Sequence, residues 1–171
     1  MPITTAPAPT LRTEYRPAGR RRPRRSPAAR FAVTFVRILT VLVGLATAAV
    51  TLGPRDWVVA GRSTADQWLL VHPSLGRVVA DLGGVEPAGN LVLFAPFAAL
   101  LALAVALRLL PVAFLVLLCM PIAVEWAQQY LPGRVPDGND IVRNTTGLLV
   151  AFVAVALLRL SARLVRVAVR T

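Results

Sequence analysis

Long apolar runs alternate with short polar joints along this chain. A bilayer crossing takes about 20 mostly apolar residues. Four runs reach that length: Phe31 to Leu52, Gly89 to Leu107, Leu110 to Tyr130 and Ile141 to Leu160. The pattern predicts an all-α fold, a polytopic membrane helical bundle of about four transmembrane helices. The longest joint, Gly53 to Ala88, carries Trp57, Trp68 and a short amphipathic stretch around Ala65 to Val71. It is expected to lie on the outer leaflet with both tryptophans at headgroup level. Runs two and three are joined by a tight turn at Arg108 and must pack antiparallel. Pro96 and Pro121 each remove a helical hydrogen bond, so kinks that open the outer half of the bundle are expected. Gly44 and Ala48 have the small-xxx-small spacing that allows close helix approach.

Composition agrees with that pattern, since 56% of the 171 residues are hydrophobic and the mean hydropathy is +0.65. An ordinary soluble domain is excluded. Charge then orients the bundle. All 19 basic residues are arginine; eight precede Phe31, four follow Val155, and Arg108 sits in the tight turn. The positive-inside rule makes both termini cytoplasmic and turns the joint between runs three and four outward. Residues 1–30 read as a disordered basic tail because six prolines lie there. Residues 31–160 form the membrane domain, with its outer loop at 53–88, and residues 161–171 form a second basic tail. Arginines beside a hydrophobic span set topology and touch anionic lipid, so membrane lipids are expected partners and nucleic acid is not. The first run exceeds a signal-peptide core and reads as an uncleaved anchor. The lack of lysine and the abundance of Ala, Val, Pro and Arg point to a GC-rich bacterial genome, hence to a bacterial cytoplasmic membrane.

Candidate chemistry concentrates in EWAQQYLPGRVPDGNDIVRNTTG, Glu125 to Gly147. An ionised group at mid-bilayer costs about 2.5 to 3.5 kcal/mol and less near the interface, so groups placed there are paired, solvated or functional. From the helical rise, Glu125 and Asn144 both lie roughly 6 to 7 Å below the outer edge, in one layer. Glu125 shares a face with Gln128 and Gln129, and Asp140 aligns with Asn144 and Gly147. The loop adds Arg134 and Asp137, and Arg134 is expected to pair with Asp137, Asp140 or Glu125. Two readings follow: a polar clasp between two spans, or an outward pocket for a polar headgroup or sugar-phosphate. In the pocket, Arg134 meets the anion and the acids take hydroxyls or a hard cation. His72 precedes a proline and reads as structural; lone Cys119 reads as a small packing residue and excludes an intrachain disulfide.

The ordered set Asn90-x-x-x-Phe94-x-Pro96-Phe97, Glu125-x-x-Gln128, Arg134-x-x-Asp137-x-x-Asp140 and Asn144-x-x-Gly147 resembles the VanZ-like membrane family over about Asn90 to Leu160. Ala98 departs from the glycine common in the family at that place. The resemblance implies a small polytopic membrane protein. The family's named member is associated with resistance to the glycopeptide teicoplanin, while most relatives have no assigned activity. It also adds Asn90 and Phe94 to the candidate ligand-binding set of Glu125, Gln128, Arg134, Asp137, Asp140 and Asn144.

The leading expectation is an envelope protein that binds, or alters access to, a lipid-linked or amphiphilic molecule at the outer leaflet. A cell-wall precursor, a lipid headgroup and a glycopeptide all fit that description. An enzyme on such substrates is the alternative, with Glu125 as acid or base and Asp137 and Asp140 on Mg²⁺ or Ca²⁺. No nucleophile with a recognisable partner and no zinc ligand set is present in the sequence, and no cofactor or resident metal is expected. A scaffold subunit is the third reading. A transporter fits poorly, since no internal repeat is evident. Oligomeric state is open at this level.

Overall fold

The computed structural model describes residues 26–135 and 137–169. These form α1 (Pro27–Leu52), α2 (Arg55–Leu70), α3 (Pro73–Asp81), α4 (Val85–Leu93), α5 (Ala95–Ala104), a 3₁₀ turn (Leu107–Leu109), α6 (Leu110–Gln128) and α7 (Gly138–Ala168). No strand occurs among the described residues. Four helical stretches are long and apolar enough to cross a membrane: Pro27–Leu52, Val85–Ala104, Leu107–Gln128 and Gly138–Ala168.

Local chemistry explains the boundaries. Ser26 caps α1, its hydroxyl accepting from the Ala29 N–H at 3.2 Å, and Pro27 opens the helix where its missing N–H costs nothing. The expected disordered tail lies outside the described residues up to 25, whereas Pro27 to Arg30 already belong to α1. The loop at 53–88 is mostly helical, as α2, α3 and the start of α4. The second span breaks at Phe94 into α4 and α5, because Pro96 removes a donor and crowds the preceding turn. Pro121, in contrast, sits inside a continuous α6. The last span does not end at Leu160. With no breaker after it, α7 runs on to Ala168, about 46 Å by the helical rise against a hydrocarbon core of about 30 Å.

Packing centres on α7, which contacts α4, α5 and α6, while α1 lies on α5 and to a lesser extent on α6. The core is Phe94, Ala98, Ala102, Leu110, Ala113, Leu117, Leu148 and Phe152. Phe94, Ala98 and Leu148 are fully buried, so an alanine suits the close packing around position 98. On α1 the buried face is polar and small: Thr40, Gly44, Thr47 and Thr51 fall at i, i+4, i+7 and i+11. Thr40 and Thr51 hydroxyls donate to the Val36 and Thr47 carbonyls at 2.7 and 2.9 Å, so both are satisfied within the helix. The large apolar side chains of α1, such as Phe35, Val41, Leu42 and Leu45, point outward. That inversion suits a lipid surround, where burial of apolar groups gives helices no reason to associate and close approach of small residues does. Ala48, the expected partner of Gly44, is exposed; the neighbours on its face are threonines. Cys119 is also exposed, on the side of α6 opposite the buried Leu117.

Candidate functional site

One end of the bundle gathers the C-termini of α1 and α6, the N-termini of α4 and α7, and α2 across them. They enclose a cavity of about 580 Å³. Its wall includes Asn90 from α4, Glu125 and Gln128 from α6, Arg134 from the joining loop, and Asp140 and Asn144 from α7. Six expected site residues therefore meet in one space.

Each is held by its own element. Glu125 and Asn144, at 6% and 4% exposed, lie inside the helix packing. The Glu125 carboxylate accepts the Asp137 backbone N–H at 3.1 Å and so draws the loop end onto α6. The Gln128 amide donates to the Thr51 carbonyl at 2.9 Å, tying α6 to the last turn of α1. Arg134 follows Gly133, whose φ of +73° makes the turn that swings the loop inward. Its guanidinium donates to the carbonyls of Gly53 at 3.1 Å and Val50 at 3.3 Å. Those carbonyls close the C-terminus of α1, which a cation satisfies well.

The expected pairing of Arg134 with an acid is thus corrected. One of its guanidinium nitrogens donates to helix-end carbonyls, and Asp140 instead pairs with Arg143 at 3.3 Å. Burial, then the charges of Arg62 and Arg55, lower the Arg134 pKa from its usual value, with Glu125 and Glu86 opposing. Replacing Arg134 with alanine should cost about 1 to 3 kcal/mol by leaving two helix-end carbonyls unmet. A thermal melt of the purified protein would register this as a lower midpoint.

Two expected residues stand apart from the cavity. Phe94 is a fully buried core side chain below it, at the break between α4 and α5. Asp137 caps α7, accepting from the Asn139 N–H at 2.9 Å, and borders a neighbouring cleft with Arg143 and Pro87. Among the described residues no three His, Cys, Asp or Glu side chains come together as metal ligands would. His72 stacks on Trp68 at 3.8 Å and its Nδ1 meets the Trp68 carbonyl, a local contact at the α2–α3 corner.

Three further charged groups reach the cavity: Arg55, Arg62 and Glu86. Arg62 and Glu86 form an ion pair at 2.6 Å that holds α2 against α4. The sequence carries a signal for the arginines, since Arg55, Val58, Val59 and Arg62 share one face of a helix. Three polar atoms in the cavity wall are buried without a hydrogen-bond partner: Asn90 Nδ2, Arg134 Nε and Asn144 Oδ1.

Four membrane-length stretches around a charged cavity at one end define a small multi-pass membrane protein with a candidate ligand site. The model of the VanZ/LLP1 family matches residues 30–159, and the chain belongs to that family. The match takes in α1 and the α2–α3 segment, beyond the region from Asn90 where the motifs are legible. No curated protein and no solved structure matches the chain.

Proposed function

We propose that the cavity binds an amphiphilic, lipid-linked molecule at the outer leaflet of a bacterial cytoplasmic membrane, or controls access to one. The carrying observation is one cavity of about 580 Å³ lined by Asn90, Glu125, Gln128, Arg134, Asp140 and Asn144, with Asn90 Nδ2, Arg134 Nε and Asn144 Oδ1 buried and unpartnered in its wall. Buried donors and acceptors without partners are rare and costly, and a ligand with hydroxyl, amide or phosphate groups supplies the missing bonds. The wall also includes Ala49, Val50, Val58, Val59, Val85 and Leu93, so charge at the mouth adjoins apolar surface. That division suits a polar head on an apolar chain. The outward direction rests on the arginines at the opposite end, among them Arg30, Arg108, Arg159, Arg163 and Arg166.

The clasp reading has its own support, because Gln128 and Arg134 tie α6 and the loop to α1. A clasp accounts for those bonds and not for the open atoms. Native mass spectrometry of the protein extracted with its own lipids should show a defined adduct. Asp140→Ala should lose that adduct, and with it any envelope phenotype, while the protein stays in the membrane. Retention of both by Asp140→Ala and Glu125→Ala proteins would leave only the clasp.

A further inference from the structure

The charges around the cavity do not cancel by direct pairing. Arg62 is paired with Glu86, and Asp140 with Arg143. Arg55 and Arg134 have no acidic partner among the described residues. Both border the cavity. A Cβ added at Gly133 would lie 3.1 Å from Arg55 Cδ and 3.5 Å from one of its guanidinium nitrogens, so Arg55 crosses directly over the residue before Arg134. The lowered pKa of Arg134, caused after burial by Arg62 and Arg55, reflects the same crowding of cations.

Like charges brought together beside a low-dielectric wall repel unless an anion sits between them. Glu125 answers only part of this, because one carboxylate oxygen already accepts the Asp137 N–H. If Glu125 is ionised, two guanidiniums and one carboxylate remain after the pairs are set aside. The lining as a whole balances three arginines with three acids, but Asp140 is engaged by Arg143 from outside it. That leaves Arg55 and Arg134 facing the one carboxylate of Glu125 and favours an anion between them. Guanidinium forks match phosphate oxygens in spacing and plane, and the Arg134 Nε has no hydrogen-bond partner in the protein.

The apolar part of the ligand has a route. α1 lies on α5 and α6 and makes little contact with α4, so the two helices flank the cavity without sealing it. Ala49 and Val50 of α1 and Leu93 of α4 line the cavity between these two little-contacting helices. Deeper in, Asn144 Oδ1 is an acceptor in a side chain only 4% exposed, and it calls for a hydroxyl or amide donor.

We infer that the ligand is a phosphate-bearing amphiphile, its phosphate between Arg55 and Arg134, a hydroxyl or amide at Asn144, and its chain leaving between α1 and α4. The inference rests on the proposed binding function and narrows its chemistry. A bilayer phospholipid and an isoprenyl phosphate share that chemistry.

The test uses the full chain in detergent, titrated by native mass spectrometry with dimyristoylphosphatidylglycerol, decaprenyl phosphate and dimyristoylglycerol. At least one phosphate-bearing probe should bind more tightly than the phosphate-free diacylglycerol, and the tighter of the two identifies the source. Arg55→Gln should weaken that probe roughly tenfold or more, the scale of one charge-assisted hydrogen bond. Because Arg55 lies at the start of α2 and makes no side-chain hydrogen bond or ion pair among the described residues, its variant should keep the wild-type melting midpoint. Equal binding of all three probes, abolished by Asn144→Leu, would overturn the phosphate assignment and keep the amphiphile site. Unchanged phosphate-probe binding in Arg55→Gln would overturn it as well. No binding of any probe, with no adduct from native lipids, would remove the site and the inference together.

Discussion

A Gly147→Ala protein is expected not to assemble its bundle. Gly147 lies on α7 where α4 passes closest, and a Cβ there would overlap the Leu91 carbonyl oxygen and crowd the carbonyl carbon. The obstacle is backbone in both helices, so no rotamer change relieves it. α4 and α7 would have to separate, opening the wall that carries Asn90 and Asn144. Overpacking of a tight core costs about 1 to 3 kcal/mol where side chains can give way, and a backbone overlap belongs above that range. Loss of the monodisperse species on size-exclusion chromatography would show it. Gly44→Ala is the matched control. There the added Cβ meets the Phe97 ring at 2.8 Å, a partly buried side chain at the edge of the core rather than backbone. That variant should fold with a modestly lower melting midpoint. If both behave alike, the close approach of α4 and α7 is not what holds this end together.

Glu125 carries the second large effect, because one carboxylate serves two tasks. It accepts the Asp137 N–H that fixes the loop and the start of α7, and it borders the cavity. Glu125→Ala leaves that N–H without its acceptor, at a cost of about 1 to 3 kcal/mol, and should lose the bound amphiphile. Glu125→Gln keeps an oxygen for the N–H and removes only the charge. It should retain the melting midpoint and alter the bound species alone. Comparing midpoint and native-mass adduct in the two variants separates the roles; an adduct kept at full occupancy in both would exclude Glu125 from the ligand.

Much of this molecule is legible along the chain, for reasons visible in particular residues. Four apolar runs announce four spans because nothing else satisfies the backbone in lipid. Asn90, Glu125, Gln128, Arg134, Asp140 and Asn144 draw attention because polar groups are costly near the bilayer, and the fold brings these six to one cavity. The helical register of Asp140, Asn144 and Gly147 also places a cavity residue, a buried amide and a helix contact on one face of α7.

Partners are a different matter. Arg134 stands three and six residues before Asp137 and Asp140 in sequence, yet its side chain reaches the carbonyls of Val50 and Gly53, some eighty positions away. Asp137 looks like a ligand and is taken by the N-terminus of α7. Phe94 shares a motif with Asn90 and falls one helical turn below it, into the core. Arg55 and Arg62 enter the cavity only because α2 folds back across the bundle end.

Hydropathy and helical period alone determined how many times this chain crosses a membrane and which polar residues share a face, since both depend on neighbours in sequence. Tertiary structure decided which charges pair, which stay open and that Gly147 has no substitute. Those depend on distances between helices, set where the backbones of α4 and α7 meet and where the α1 terminus takes up Arg134.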